Sequence, residues 1–303
     1  MGEAERCYFY ARGGIEAALF RVSFSDRAPE KQQELFPYAG GMNHFWTDSE
    51  EMTCHVAILD ESGKLDLNMA KDEMLERLLT TLGVPQEEKS ALMEAVEMRK
   101  KPRSASETAG GSTQPAKPFG SVEELLQIKK VSRETVYGTH RRDESGKVVS
   151  KRGLIDFLTV YTGTTGININ YAEPEALASL PGMDLSSANS IVQARQDHAF
   201  GNADMAARTS GTLPGEALSF VSTRLSGSYC LVSTAWVKGS QVRRSVRLIA
   251  KLNSASKLGH QRLAWCDEYW PSPQILKWMN FRSQEVPAQE ARFSPSFNYQ
   301  EIS

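Results

Sequence analysis

The segment Gly166-Ile-Asn-Ile-Asn-Tyr-Ala-Glu-Pro-Glu-Ala-Leu-Ala-Ser-Leu-Pro-Gly182, continuing to Arg195, leaves few folds open to this chain. It predicts a short extended entry, a helix, a Pro-Gly turn and a second helix. Asn170 can cap the first helix through its side-chain oxygen, and Pro174 suits a first turn, where a missing N–H costs nothing. Ala176, Leu177 and Leu180 fall on one helical face. After the turn, Ala188, Ile191, Val192 and Arg195 repeat the i, i+3, i+4, i+7 spacing. The expected product is an αα-hairpin with an apolar inner side.

An echo of this segment lies earlier in the chain. Leu65-Asp-Leu-Asn68-Met-Ala70 lines up with Ile167-Asn-Ile-Asn170-Tyr-Ala172, and Leu75 and Leu78 match Leu177 and Leu180 at the same offset. Each copy reads as an extended entry, an Asn cap, an apolar-faced helix, a turn near a glycine (Gly83, Gly182) and a second helix. In the first copy that second helix runs from about Gln86 to Arg99, with Leu92, Ala95 and Val96 inward. Self-similarity of this length predicts two related hairpins packed together.

The flanks have different periods. Tyr8, Ala11, Ile15, Leu19 and Val22 form an apolar stripe, so Cys7–Ser23 is an amphipathic helix. Pro29–Gly41 reads as a turn-rich connection, and Cys54–Leu59 as a strand ended by Asp60-Glu61-Ser62-Gly63. Lys100–Pro118 is a polar loop rich in Gly, Ser, Thr and Pro. Ser121 and Glu124 make a capping box, with Phe119 and Leu125 as a staple, at the start of a further helix. Gly153–Tyr161 is an apolar run expected to lead into the second hairpin as a strand.

Beyond Ser210 the period becomes two. Tyr229, Leu231, Ser233, Ala235 and Val237 share one face; after Lys-Gly-Ser-Gln, so do Val242, Arg244, Val246, Leu248, Ala250 and Leu252. This is a β-hairpin signal, with Arg243, Arg247 and Lys251 on what reads as a solvated face. Ile275–Phe281 is a candidate last strand and Arg282–Ser303 a loose tail. The fold class is therefore α+β. Residues 1–60 supply a helix and first strand, 61–215 an inserted α-helical domain, and 216–303 an antiparallel sheet and tail.

Chemistry of other kinds is not visible. A formal charge of −2 over 303 residues argues against a general polyanion binder. No apolar run approaches the ~20 residues that cross a bilayer, and no signal peptide is visible. The four cysteines (Cys7, Cys54, Cys230, Cys266) and five histidines (His44, His55, His140, His198, His260) are dispersed without metal-ligand spacing. There is no G-x-S-x-G elbow and no phosphate loop. Asp60-Glu61, Asp143-Glu144 and Asp267-Glu268 read as surface charge, so no enzyme is expected and no catalytic residue is assigned. A helix-hairpin-helix DNA-binding protein is the alternative reading of Leu180-Pro181-Gly182. Asp184 and Ser187 stand where such a hairpin carries a second Gly and a basic residue, and a carboxylate repels phosphate. Nucleic acid is therefore not the expected partner.

The order of features resembles the K-type minor pseudopilins (GspK) of the type II secretion system. The matching residues are Ala11-Arg-Gly-Gly-Ile-Glu16, Val56-Ala-Ile-Leu-Asp-Glu61, Gly63-Lys-Leu-Asp-Leu-Asn68, Pro118-Phe-Gly-Ser-Val-Glu-Glu-Leu125, Leu158-Thr-Val-Tyr161, Gly166-Ile-Asn-Ile-Asn170 and Leu180-Pro-Gly182, then Ile191 to Arg195 with Phe200 and the strand pair from Ser228. The resemblance spans about Ala11 to Phe281. It implies a pilin-like fold, a helix packed on an antiparallel sheet, whose parts are separated by a large helical insertion with helix-hairpin-helix or SAM-like hairpins. It also implies a periplasmic place at the tip of the pseudopilus, capping or starting assembly with I- and J-type minor pseudopilins and other pseudopilus subunits. A leader and a membrane-spanning N-terminal helix are expected of such a protein and do not appear here, so the chain reads as the soluble part of an inner-membrane protein. No cofactor is expected; the resemblance alone admits structural Ca²⁺, with no ligands assigned. Ile15 and Leu19 are the expected contacts with neighbouring subunits.

Overall fold

The helical stripe at the start of the chain and the alternating runs near its end bury each other. The computed structural model describes residues 2–27, 43–100, 117–142, 148–197, 199–202, 206, 211, 213–253, 255–269, 271 and 275. Helix α1 (Glu3–Arg27) is followed by β1 (Asn43–Asp48) and β2 (Met52–Asp60), an antiparallel pair in which Phe45 faces Val56. The expected connection Pro29–Gly41, the loop over 101–116, residues 276–281 and the tail Arg282–Ser303 lie outside the described residues.

After β2 the chain leaves the sheet, and the excursion is built twice. In the first copy β3 (Leu65–Asp66) leads to α2 (Asp72–Thr81) and α3 (Gln86–Lys100). A 3₁₀ turn (Val122–Gln127), α4 (Arg133–Tyr137) and a small antiparallel pair, β4 (Thr139–Arg142) and β5 (Val148–Lys151), follow. The 3₁₀ turn Leu154–Asp156 then delivers β6 (Leu158–Thr159), which pairs in parallel with β3. In the second copy β7 (Ile167–Asn168) leads to α5 (Pro174–Ala178) and α6 (Leu185–Asp197), and a 3₁₀ turn (Gly215–Phe220) delivers β8 (Val221–Ser222), parallel to β7. Both copies share one core, including Leu75, Leu78, Leu125, Phe157, Leu177, Leu180 and Ile191. Each such side chain contributes about 1.5–3 kcal/mol by leaving water.

The sheet resumes with β9 (Ser228–Val237), β10 (Arg243–Leu252) and β11 (His260–Cys266), giving the antiparallel order β1-β2-β9-β10-β11. The insertion therefore separates two strands that are neighbours in space. Cys7, Ala11, Ile15, Ala18, Leu19 and Val22 of α1 are buried, and all but Cys7 face Cys54, Val56, Ile58, Leu231, Ala235, Val246, Leu248 and Ala250 of the sheet. At Gly14 the helix touches the strands so closely that a Cβ would lie 2.3 Å from Ser233 Oγ and 2.9 Å from Cys54 Sγ.

Several sequence expectations change. Asn170 is not a cap: α5 starts at Pro174 behind Glu173, whose side chain makes no capping bond. Ser121 makes no capping bond either. Glu124 Oε1 instead accepts from Gly120 N at 2.8 Å, and the segment is 3₁₀ rather than α-helical. Gly153–Tyr161 is not one strand: Leu154–Asp156 is a 3₁₀ turn and only Leu158–Thr159 is extended pairing. Because β8 closes onto β7, the insertion runs past 215 to the loop before Ser228.

Candidate assembly surface

Helix α1 has two apolar sides. Ile15 is wholly buried and Leu19 is 3 % exposed, both against this chain's own sheet. The two residues expected to meet another subunit are therefore core residues here, because the sheet covers their stripe. On the opposite side Phe9 and Phe20 are 53 % and 56 % exposed, and Phe24 stacks on Phe20 with centroids 5.7 Å apart. Positions 9, 13, 20 and 24 share one helical face. That second stripe was legible in the sequence but hidden behind the stronger buried one.

The helix is held in register by contacts with β11 and the residues after it. Arg262 Nη2 donates to both carboxylate oxygens of Glu16 at 2.7 and 2.8 Å. Tyr8 Oη donates to Asp267 Oδ1 at 2.7 Å, and Trp265 Nε1 donates to the same oxygen. Bonds from Trp265 and Tyr8 hold the Asp267 carboxyl below its usual range. The Arg12 guanidinium lies over both the Tyr8 and Trp265 rings, at 5.7 and 5.6 Å. These contacts present the outer face of α1 as a fixed surface.

The other face of the sheet meets the edge of the insertion, through Tyr161 and Glu123, and the residues after β11, Tyr269 and Ile275. Arg247, read from the alternation as solvated, is 7 % exposed: it donates to Glu123 Oε1 at 2.7 Å and lies over the Tyr269 ring. The insertion reaches that face, and an arginine satisfies it because Glu123 arrives with the first copy. Lys64 Nζ donates to Glu61 Oε1 at 2.8 Å and to Ile155 O at 3.3 Å. Burial works to lower its pKa, and the Glu61 carboxylate more than offsets this, so the ammonium ends above its ordinary value. Arg152 is gripped by Glu173 at 2.9 Å and by Glu175.

Two buried thiols lie on the sheet. Burial pushes the Cys54 and Cys230 thiols up to about 11, so both stay protonated and poorly nucleophilic at neutral pH. Among the described residues no group of three or more His, Cys, Asp or Glu could hold a metal ion. Asp66, the best-placed carboxylate, already accepts from Asn68 N, Thr162 N, Thr162 Oγ1 and Gly163 N.

The hairpin turn of the second copy has Gly182 at φ +69°, the left-handed conformation such a turn requires. Asp184 Oδ1 accepts from Ser187 N at 2.7 Å, and this bond holds the carboxyl below its usual range. A charged carboxylate thus caps the helix end where a phosphate would dock. The corresponding helix of the first copy, α3, carries Glu87 and Glu88 in its first turn. Neither hairpin suits a polyanion.

No protein-family model matches the sequence. No curated protein matches it in sequence either. Among solved structures, a chain of the GspK-GspI-GspJ complex from the enterotoxigenic Escherichia coli type 2 secretion system superposes with a TM-score of 0.51 at 14% identity, over 88% of this chain and 97% of that one. The fold is GspK-like. A GspK-like arrangement accounts for a pilin-type helix and sheet interrupted between adjacent strands by a helical block. Among the described residues no helix is long and apolar enough to cross a membrane.

Proposed function

We propose that this chain is a non-enzymatic minor pseudopilin that caps the tip of a type II secretion pseudopilus, bound to I- and J-type minor pseudopilins. The observation that carries the reading is the division of labour between the two faces of the sheet. One face holds α1, whose outer side offers Phe9 and Phe20; the other is covered by Tyr269 and Ile275 and by the edge of the bulky insertion, through Tyr161 and Glu123. Helical subunits of a filament add by packing α1 against α1, and a block this size beside the sheet obstructs a subunit from adding above. The chain fits only the last position, from which it can start assembly. The similar complex contains GspK, GspI and GspJ, which supports partners of the I and J type. A place on the periplasmic side of the inner membrane belongs to the same proposal.

Phe9 and Phe20 replace Ile15 and Leu19 as the contact residues, because a partner can reach them without opening the core. Mixing the purified chain with I- and J-type subunits from the same organism should give a 1:1:1 species by size exclusion with light scattering. Phe9→Asp and Phe20→Asp should weaken that species while leaving the chain folded. An unchanged elution profile on mixing the native proteins rules the proposal out.

A further inference from the structure

The seam between sheet and insertion contains a cavity of about 50 Å³, lined by charged and apolar side chains together. Its walls come from the end of β2 (Asp60), the insertion (Lys64, Arg152, Asp156, Tyr171) and the outer face of β9 (Cys230). Asp60 is 5 % exposed. Its Oδ1 accepts from Ser62 N at 2.7 Å, Ser226 Oγ at 3.0 Å and Ser226 N at 3.3 Å, but its Oδ2 has no hydrogen-bond partner. Glu175, which pairs with the cavity-lining Arg152, leaves its Oε2 buried and unpartnered too. Lys64 Nζ uses two of its three N–H groups on Glu61 and Ile155.

We propose that this cavity is a binding site for a small cluster of ordered water molecules, which donate to Asp60 Oδ2 and bridge it to Lys64 and the rest of the insertion. A buried acceptor left without a donor is costly, so two such oxygens at the junction of two rigid blocks call for donors that neither block supplies. A water needs about 10–15 Å³ of such space and two to four polar neighbours, and the cavity supplies both. A metal ion is the wrong occupant, because the Lys64 ammonium and the Arg152 guanidinium line the same walls. An apolar ligand is wrong because the charged walls would lose their hydration. Water matches donors and acceptors in any proportion. It therefore suits a seam where an insertion meets a sheet without one-to-one pairing of their polar groups.

The test is a high-resolution crystal structure of the chain, grown with and without EDTA, with the isosteric Asp60→Asn alongside. Oxygen density about 2.7–3.2 Å from Asp60 Oδ2 is expected, unaffected by EDTA and retained in Asp60→Asn, since an amide can donate where the carboxylate accepted. Long-lived waters counted by ¹⁷O magnetic relaxation dispersion should fall by at least one in Asp60→Ala; if that variant does not fold, the native count and the density still decide. Dry density at the cavity, an anomalous peak that EDTA removes, or a side chain filling the space would each overturn the proposal.

Discussion

The two copies inside the insertion place Asp66 and Asn168 at the same position and use them oppositely. In the first copy the Asp66 carboxylate accepts from Thr162 N, Thr162 Oγ1 and Gly163 N, gathering the chain as it leaves β6. In the second, Asn168 Nδ2 donates to Arg224 O at 2.9 Å just after β8. The shared part is the other oxygen: Asp66 Oδ1 accepts from Asn68 N and Asn168 Oδ1 from Asn170 N, both at 3.0 Å. One frame thus tolerates an acid or an amide, according to whether the returning strand offers N–H groups or a carbonyl. A repeated fold keeps the backbone pattern and lets the polar partner decide the residue type.

The sharpest way to break this comparison is to exchange the two residues. Asn168→Asp puts a carboxylate, in a site with no exposure, against the Arg224 carbonyl, and should cost about 3–5 kcal/mol at neutral pH by urea denaturation. Desolvation raises the pKa of that new carboxyl above its unfolded value. Its penalty is therefore full above the folded pKa and fades as pH falls through it, when a carboxylic O–H can donate to the carbonyl. Asp66→Asn should cost less, about 1–3 kcal/mol, by turning an NH₂ toward donors, and acid should not rescue it. Equal losses in the two variants, or a loss in Asn168→Asp that ignores pH, would show that the positions are interchangeable after all.

A second pair of residues does the same job in both copies at different depth. Asn68 Oδ1 accepts from Phe119 N at 2.8 Å and its Nδ2 donates to Phe119 O at 2.9 Å; Asn170 holds Phe200 by the same two bonds at the same lengths. Each asparagine imitates a strand partner for one distant residue. Asn170 is 5 % exposed, whereas Asn68 is only half-buried. Asn170→Ala leaves two backbone groups dry and should cost about 2–4 kcal/mol, while Asn68→Ala should cost about 1–2 because water can replace part of the clamp. Amide exchange at Phe200 and Phe119 would report the two losses separately.

Whether such features can be read from sequence depends on the distance over which the partner lies. The period of α1 and the alternation of β9 and β10 are local, so their buried faces were visible at once. The Asn entry motif was visible as a likeness, but its job was not. The clamps reach across 51 residues from Asn68 and 30 from Asn170, while capping, the local alternative, looked sufficient. The Phe-Gly pairs at Phe119-Gly120 and Phe200-Gly201 were the missed signal, out of register with the first match because the connections differ in length. Arg247 shows the same limit: alternation assigns it to a face but cannot say that the insertion reaches that face. For α1, periodicity identified the buried stripe and invited a functional reading of it, whereas the surface left free is the one bearing Phe9 and Phe20.

The smallest contrast lies at the ends of the second helices. Arg195 Nη1 donates to Ile169 O at 2.7 Å and Ala172 O at 2.6 Å, and in the first copy Lys100 Nζ donates to Ala70 O, the counterpart of Ala172 O, at 2.6 Å. Lys100 also pairs with Asp72 at 2.7 Å, a bridge whose acid is largely exposed. Arg195 is 7 % exposed, and burial lowers its pKa to about 10, so it remains charged and relies on carbonyls for compensation. Arg195→Ala should therefore cost about 1–3 kcal/mol, leaving two carbonyls short of a donor. Lys100→Ala should cost about 0–1 kcal/mol, as expected of a half-exposed pair near water, and added salt should shrink even that. The urea midpoints of the two variants, measured at low and high salt, compare them directly. A Lys100→Ala loss as large as that of Arg195→Ala, and insensitive to salt, would mean that the first copy is as dry at this corner as the second.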